Sequence, residues 1–341
     1  MYQHLKYFYS AFFVTLIGII AAVLLEPNHK LYALYLILIL ALLEISLSFD
    51  NAVVNAKVLA KMPKKWQKAF IWIGLPVAVF GMRLIFPILL VSITTSLSFS
   101  DVFKLATNDP KSYQHALELG FPTICAFGGG FLIMVFLKFF VAEKHELHWI
   151  SWLEENRFVS LIRHYPGGYI IFALIIAYIV IYNAALGQGG TLALAFLMGL
   201  IVHEALGILN YAFGGSMTGK VAQNGLMGFL YLEVLDASFS FDGVIGAFAI
   251  STNIFIIMIG LGIGAMYVRS LTLFFVEHKT LSKFRYLEHG AHYAIGFLAV
   301  IMFIKIYTHV PEWLTGTVGI GLIIIAFIHS KIANCRGLNL T

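Results

Sequence analysis

Stretches of about 20 apolar residues, the length that crosses the hydrocarbon core of a bilayer, recur along nearly the whole of this 341-residue sequence. No other feature leaves so little freedom, because a chain in hydrocarbon must satisfy its backbone polar groups internally, and an isolated segment can do that only as a helix. Only 11% of the residues are charged and the mean hydropathy is +0.89, whereas soluble domains carry roughly 25% charged residues. The chain therefore reads as a single all-α polytopic transmembrane domain over residues 1–341. Candidate spans fall near 8–25, 31–56, 66–91, 117–141, 169–186, 190–212, 226–250, 253–276, 290–308 and 313–333. The first run, Phe8 to Leu25, ends in Leu-Glu-Pro-Asn and lacks a small-residue cleavage site, so it is expected to be kept as a helix.

Numbering the connections alternately gathers Lys6, Lys57, Lys61, Lys64, Lys65, Lys68, Lys144, Arg157, Arg163, Lys220, Lys279, Lys283, Arg285, Lys331 and Arg336 on one side. The other side keeps Lys30, Lys104 and Lys111. This bias supports ten spans in an inner, cytoplasmic membrane with both termini in the cytoplasm, since one helix more or fewer would scatter the basic loops. The net charge of +5 follows from topology, and no nucleic-acid partner is expected. The two cysteines, Cys125 in an apolar run and Cys335 in the polar tail, offer neither a disulfide framework nor a thiolate cage. Two segments stand outside the spans, 92–116 and 142–168; the second mixes Trp149, Trp152, Leu153, Phe158, Leu161 and Ile162 with charges, as a helix in the headgroup region does.

An internal repeat is the chain's most specific signal. Ser46-Leu47-Ser48-Phe49-Asp50 recurs as Ser238-Phe239-Ser240-Phe241-Asp242, 192 positions later, which sets Glu44 opposite Asp236. After the first copy come Arg83 and Lys138, and after the second Arg269 and Lys305, so an acid pair, an arginine and a lysine appear twice in order. The copies fall on the second and seventh spans, an odd number of crossings apart. Two halves, approximately 1–188 and 189–341, would then run in opposite directions as inverted five-helix repeats, an architecture of many transporters.

A carboxylate at the middle of a membrane helix costs about 2.5 to 3.5 kcal/mol, so Glu44, Asp50, Asp236 and Asp242 need a compensating interaction, and a bound cation is the simplest. Residues six apart on a regular helix point roughly 120° from each other. A local break is therefore expected in both copies, where Ser46, Ser48 and Asn51, or Ser238, Ser240 and Gly243, compete for backbone bonds or loosen the helix. With Asn51 or Asn55 as further donors the ligand set is all oxygen, which suits Mg²⁺, Ca²⁺ and Mn²⁺ better than zinc or copper. Geometry alone leaves these three ions open.

Glu44-x-Ser-Leu-Ser-x-Asp50-Asn51 and Glu233-x-x-Asp236-x-x-Phe-Ser-Phe-Asp242 resemble the paired signatures of the TerC integral membrane family. Arg83, Arg269 and the run Tyr286-Leu287-Glu288-His289-Gly290 leading to Lys305 resemble its later landmarks. The resemblance implies manganese efflux, with Glu44, Asp50, Asn51, Asp236 and Asp242 as the matching positions. Segments 92–116 and 142–168 are additions to the compact family core. The family's name refers to tellurium, yet clustered carboxylates repel an oxyanion. Export of a dication against an inside-negative potential costs about 4.6 kcal/mol per 100 mV, twice the cost for one charge. Exchange for protons is the favoured source, because clustered carboxylates titrate as a set and metal and proton would compete for the same oxygens. The transported ion is substrate; no cofactor and no enzymatic activity are expected.

Plainer readings stand beside several residues. Glu233 shares a helical face with Asp236 and Ser240, but its counterpart in the first copy is Ala41, so ligand and supporting roles are balanced. Arg83 lies deep enough to neutralise the acids, while Arg269, Lys138 and Lys305 sit nearer span ends, where snorkelling to the headgroups suffices. His203-Glu204 lacks the second histidine of a zinc-protease motif and reads as a packed polar pair. Gly260-Leu-Gly262-Ile-Gly264 lies inside a span and reads as a helix-packing stripe. Two rivals to export remain: an intramembrane hydrolase using Asp236 and Asp242, and a membrane scaffold or chaperone whose contact surface is 142–168.

Overall fold

The computed structural model describes residues 6–95, 97–142, 147–165, 167–182, 188–212, 225–248, 250–251, 253–278 and 284–335. Among them every regular element is helical. In chain order the principal helices are α1 (Tyr9–Leu25), α2 (Lys30–Leu47), α3 (Phe49–Ala60), α4 (Lys64–Trp72), α5 (Val77–Ile85), α6 (Phe86–Thr95), α7 (Phe99–Asn108) and α8 (Pro110–Leu137). They continue with α9 (Arg157–His164), α10 (Gly168–Tyr182), α11 (Gly189–Ala212), α12 (Gly225–Phe248), α13 (Ile254–Glu277), α14 (Leu287–Lys305) and α15 (Glu312–Cys335).

Seven helical stretches are long and apolar enough to cross a membrane: Lys6–Leu25, Lys30–Leu47, Pro110–Val141, Gly189–Leu209, Ile254–Glu277, Leu287–Lys305 and Thr317–Cys335. The pair Lys64–Trp72 and Val77–Leu89, bent by 45°, makes an eighth if it is one span. Helix α10 is apolar but only 15 residues long, and α12 has 24 residues with three acids, Glu233, Asp236 and Asp242. The chain is thus a multi-pass helical membrane protein. Its outer faces are apolar, as lipid requires: Leu24, Leu31, Tyr178 and Leu194 are all more than 60% exposed.

Two of the spans read from sequence are interrupted. The second breaks at Ser48, whose ψ of 14° lies outside the helical range, so α2 ends at Leu47 and α3 starts at Phe49. The third bends between Ile73 and Val77, where Pro76 has no N–H to give the ladder, and continues as the π-helical α5. Packing centres on α13, which lies against α1, α2, α3 and α5, and on α8, which lies against α11, α12 and α14. Glycines allow these approaches: a Cβ on Gly260 would stand 2.5 Å from Leu40 Cβ, and one on Gly130 2.8 Å from the Phe196 carbonyl oxygen. The packing reading of the Gly260–Gly264 stripe is what the structure shows.

The segments 92–116 and 142–168 pack into the bundle where they are described. Ser98 caps α7 by accepting from the Asp101 N–H, and α7 buries Val102 and Ala106. Asp109 caps α8 in the same way, with Pro110 at its first turn. In the other segment, Glu154 is 3% exposed and accepts from the N–H groups of Trp149 and Ile150 and from the Tyr293 hydroxyl. Trp149 donates to His329 on α15. Of the residues expected in the headgroup region, Trp152, Leu153 and Leu161 are exposed, whereas Trp149 and Ile162 are partly buried.

Candidate cation site

Glu44 lies three residues before the break, on α2, and is 2% exposed. Its Oε1 accepts from Arg83 Nη2 at 2.5 Å and from Ser48 Oγ at 3.0 Å. Its Oε2 has no hydrogen-bond partner among the described residues. The π-helical turn holds Arg83 inward: the guanidinium is 1% exposed and gives a second bond to the Ala78 carbonyl at 2.5 Å. A long side chain that could have reached toward solvent is instead committed to one buried carboxylate.

On the other side Arg269, 2% exposed on α13, serves two acids of α12. Nη2 stands 2.9 Å from Asp236 Oδ2 and 3.2 and 3.3 Å from the two Glu233 oxygens. Nη1 donates to the Phe70 carbonyl at 2.7 Å, and the guanidinium lies over the Phe70 ring at 4.4 Å. Gly74, at the 45° bend, leaves the room this group occupies, since a Cβ there would collide with Arg269 and come within 2.7 Å of Glu233 Oε1. Arg269 is therefore no snorkelling residue. Its distance from the span end misled the sequence reading, because α4 and α12 close over that end and supply both acids and a carbonyl.

The two acid–arginine units are neighbours. A Cβ on Gly243, the residue after Asp242, would lie 3.1 Å from Glu44 Oε2, so the second motif's backbone passes directly beside the first motif's acid. Glu44 and Asp236 interact electrostatically, and so do Glu233 and Arg83. Gly264 holds the arrangement from behind: a Cβ there would meet Glu44 Cβ at 2.5 Å and the Ala41 carbonyl oxygen at 2.7 Å.

Other expected residues divide. Ser48 joins the site, and Glu233 is part of it. Asn51 and Asn55, each 1% exposed, fall on the face of α3 that continues the Glu44–Ser48 line. Ser46 is exposed, turned about 200° from Glu44 on the same helix, and takes no part. The side chains of Asp50, Ser238, Ser240 and Asp242 lie outside the described residues; their backbones are helical, and α12 runs unbroken through the second motif. The break expected there is absent, since Gly243 is accommodated within regular helix. Lys138 faces His203, Glu204 and Gly207 on α11. His203 Nδ1 and the Tyr169 hydroxyl both lie 3.0 Å from Glu204 Oε1, which is the packed polar pair read from sequence. Lys305 is 6% exposed, so it does not extend into the headgroups. Sequence reasoning missed Gly74 and Phe70; it named Gly243 as a helix-loosening residue and Gly264 as part of a packing stripe, but nothing local connected either to Glu44.

Among the described residues no group of three or more His, Cys, Asp or Glu side chains is positioned as a metal cage. The fold and site define a multi-pass helical membrane protein with two neighbouring buried clusters, one arginine with one acid and one arginine with two. Residues 49–337 match the family described as Protein of unknown function (DUF475), and the chain belongs to that family. That match takes in Asp50, Asn51 and the whole second motif. No curated protein and no solved structure matches the chain.

Proposed function

We propose that this protein exports hard divalent cations across the cytoplasmic membrane, with Mn²⁺ as the substrate the TerC resemblance implies. One observation carries the reading: both copies of a duplicated motif bring an acid and an arginine into the same sealed region, Glu44 with Arg83 and Asp236 with Arg269. A structural lock between helices needs one ion pair, and burying such pairs is rarely the most stable solution. Two neighbouring acid–arginine clusters with a carboxylate oxygen left over, Glu44 Oε2, suit a cargo that arrives and leaves. We assign Asp50 and Asp242 as the further acidic ligands of that set, with Ser48 and Asn51 as its neutral oxygens. The arginines carry the countercharge when cargo is absent, and metal binding draws the carboxylates away from them.

The inverted-repeat reading of ten spans is supported by how the helices pair. Under such a two-fold relation the second span against the eighth corresponds to the third against the seventh, and the fourth against the ninth maps onto itself. All three contacts occur, as α2 on α13, α5 on α12, and α8 on α14, whereas the contacts of α8 with α11 and of α1 with α13 have no counterpart of similar size. Proton exchange would supply the driving force, metal and proton competing for the same carboxylates. The test is cellular content of manganese, calcium, magnesium and zinc with the wild-type chain and with Glu44→Gln plus Asp236→Asn. Export of one ion should vanish in the double variant; a folded double variant that still lowers that ion contradicts the reading.

A further inference from the structure

A cavity of about 530 Å³ opens at the end of the bundle that the lysine bias assigns to the cytoplasm, among α3, α4, α13 and the start of α14. Ala56, Lys57, Lys61, Gln67, Glu277 and Glu288 line it. Lys57 and Glu288 form an ion pair there, with side chains 20% and 33% exposed, and Lys57 Nζ also lies over the Phe139 ring at 4.7 Å. Next to cavity-lining Ala56 is Asn55, 1% exposed, whose Oδ1 has no hydrogen-bond partner among the described residues. A buried carbonyl oxygen without a donor is costly unless something visits it. Ser48, Asn51 and Asn55 stand at helical spacings of three and four along α3 and its cap, so Asn55 ends a polar line whose other end, Ser48, donates to Glu44.

Resting on the export reading, we propose that Lys57 and Glu288 form the cytoplasmic entry gate for the divalent cation, which Glu288 captures first and Asn55 receives next. At equal distance a dication attracts a carboxylate twice as strongly as an ammonium does, and it repels Lys57. Lys57 has somewhere to go, because the Phe139 face already holds part of its charge. A monovalent cation lacks the doubled attraction and meets a positive barrier, the device by which pores exclude cations. The gate therefore filters by valence before the central acids are reached.

The two halves of the pair must then act oppositely. Mn²⁺ uptake into everted membrane vesicles carrying the full chain would show it, with unfolding temperature in detergent confirming that each variant is folded. Lys57→Met should lower the KM for Mn²⁺ by roughly fivefold, the worth of a weak ion-pair barrier. Glu288→Gln should raise KM by about tenfold with kcat little changed, and Asn55→Ala should raise it less. If Lys57→Met and Glu288→Gln shift KM in the same direction or not at all, while Glu44→Gln plus Asp236→Asn still abolishes uptake, the pair is a helix staple and the gate is wrong. If the acid double variant keeps uptake, the export reading itself fails, and the gate with it.

Discussion

The two motif copies share residue types but not construction. In the first, the helix breaks at Ser48, one arginine meets one carboxylate, and Glu44 keeps an oxygen without a partner. In the second, α12 runs through without interruption, and Arg269 is held by two acids, a carbonyl and an aromatic ring. A guanidinium with that many partners is fixed, whereas Arg83 sits in a π-helical turn with fewer ties. On the export reading proposed above, the first copy is the one that moves and the second the anchor.

The largest effect should come from the arginines. Arg269→Met leaves both Glu233 and Asp236 without their countercharge, and breaking a buried pair this way costs about 3 to 5 kcal/mol. Arg83→Met strands Glu44 alone and should cost less. Unfolding of the purified variants in detergent checks the order; equal losses, or a larger loss at Arg83, would break the contrast between anchor and mover. Next comes Gly264→Ala, whose methyl would press on Glu44 Cβ and the Ala41 carbonyl and should cost about 1 to 3 kcal/mol. Its export rate should fall further than that of Gly243→Ala, where the new Cβ meets the Glu44 Oε2 at 3.1 Å and Leu47 Cδ1 at an ordinary 3.8 Å.

The smallest effects separate two serines of one motif. Ser48→Ala removes the 3.0 Å bond to Glu44 and should cost about 1 kcal/mol. Ser46→Ala, on the exposed side of α2, should change neither stability nor export. Equal effects at the two positions would show that the motif acts through composition and not through which face each serine occupies.

Helix placement was legible because membrane burial writes itself as long apolar runs, and seven helical stretches among the described residues are long and apolar enough to span a membrane, with an eighth if the bent pair is one span. The break at Ser48 was legible for a local reason, two serines and an asparagine around a pair of acids that regular helix cannot align. The same reasoning predicted a break in α12 and failed, since it took no account of a helix held from outside by Arg269 and by α13. Arg269 was misjudged for a related cause. Depth along a span says where a side chain starts, but its destination depends on the neighbouring helices, and no residue of α4 announces that the Phe70 carbonyl will face α13. Gly264 and Glu44 lie 220 positions apart, so their contact had no local sign.

The central claim is that both clusters hold one ion between them, and equilibrium Mn²⁺ binding to the purified full-length chain tests it most directly. One ion per chain should bind to the wild type, and either Glu44→Gln or Asp236→Asn alone should abolish it. Two ions in the wild type, with one retained in each single variant, would mean two independent sites and would contradict the account.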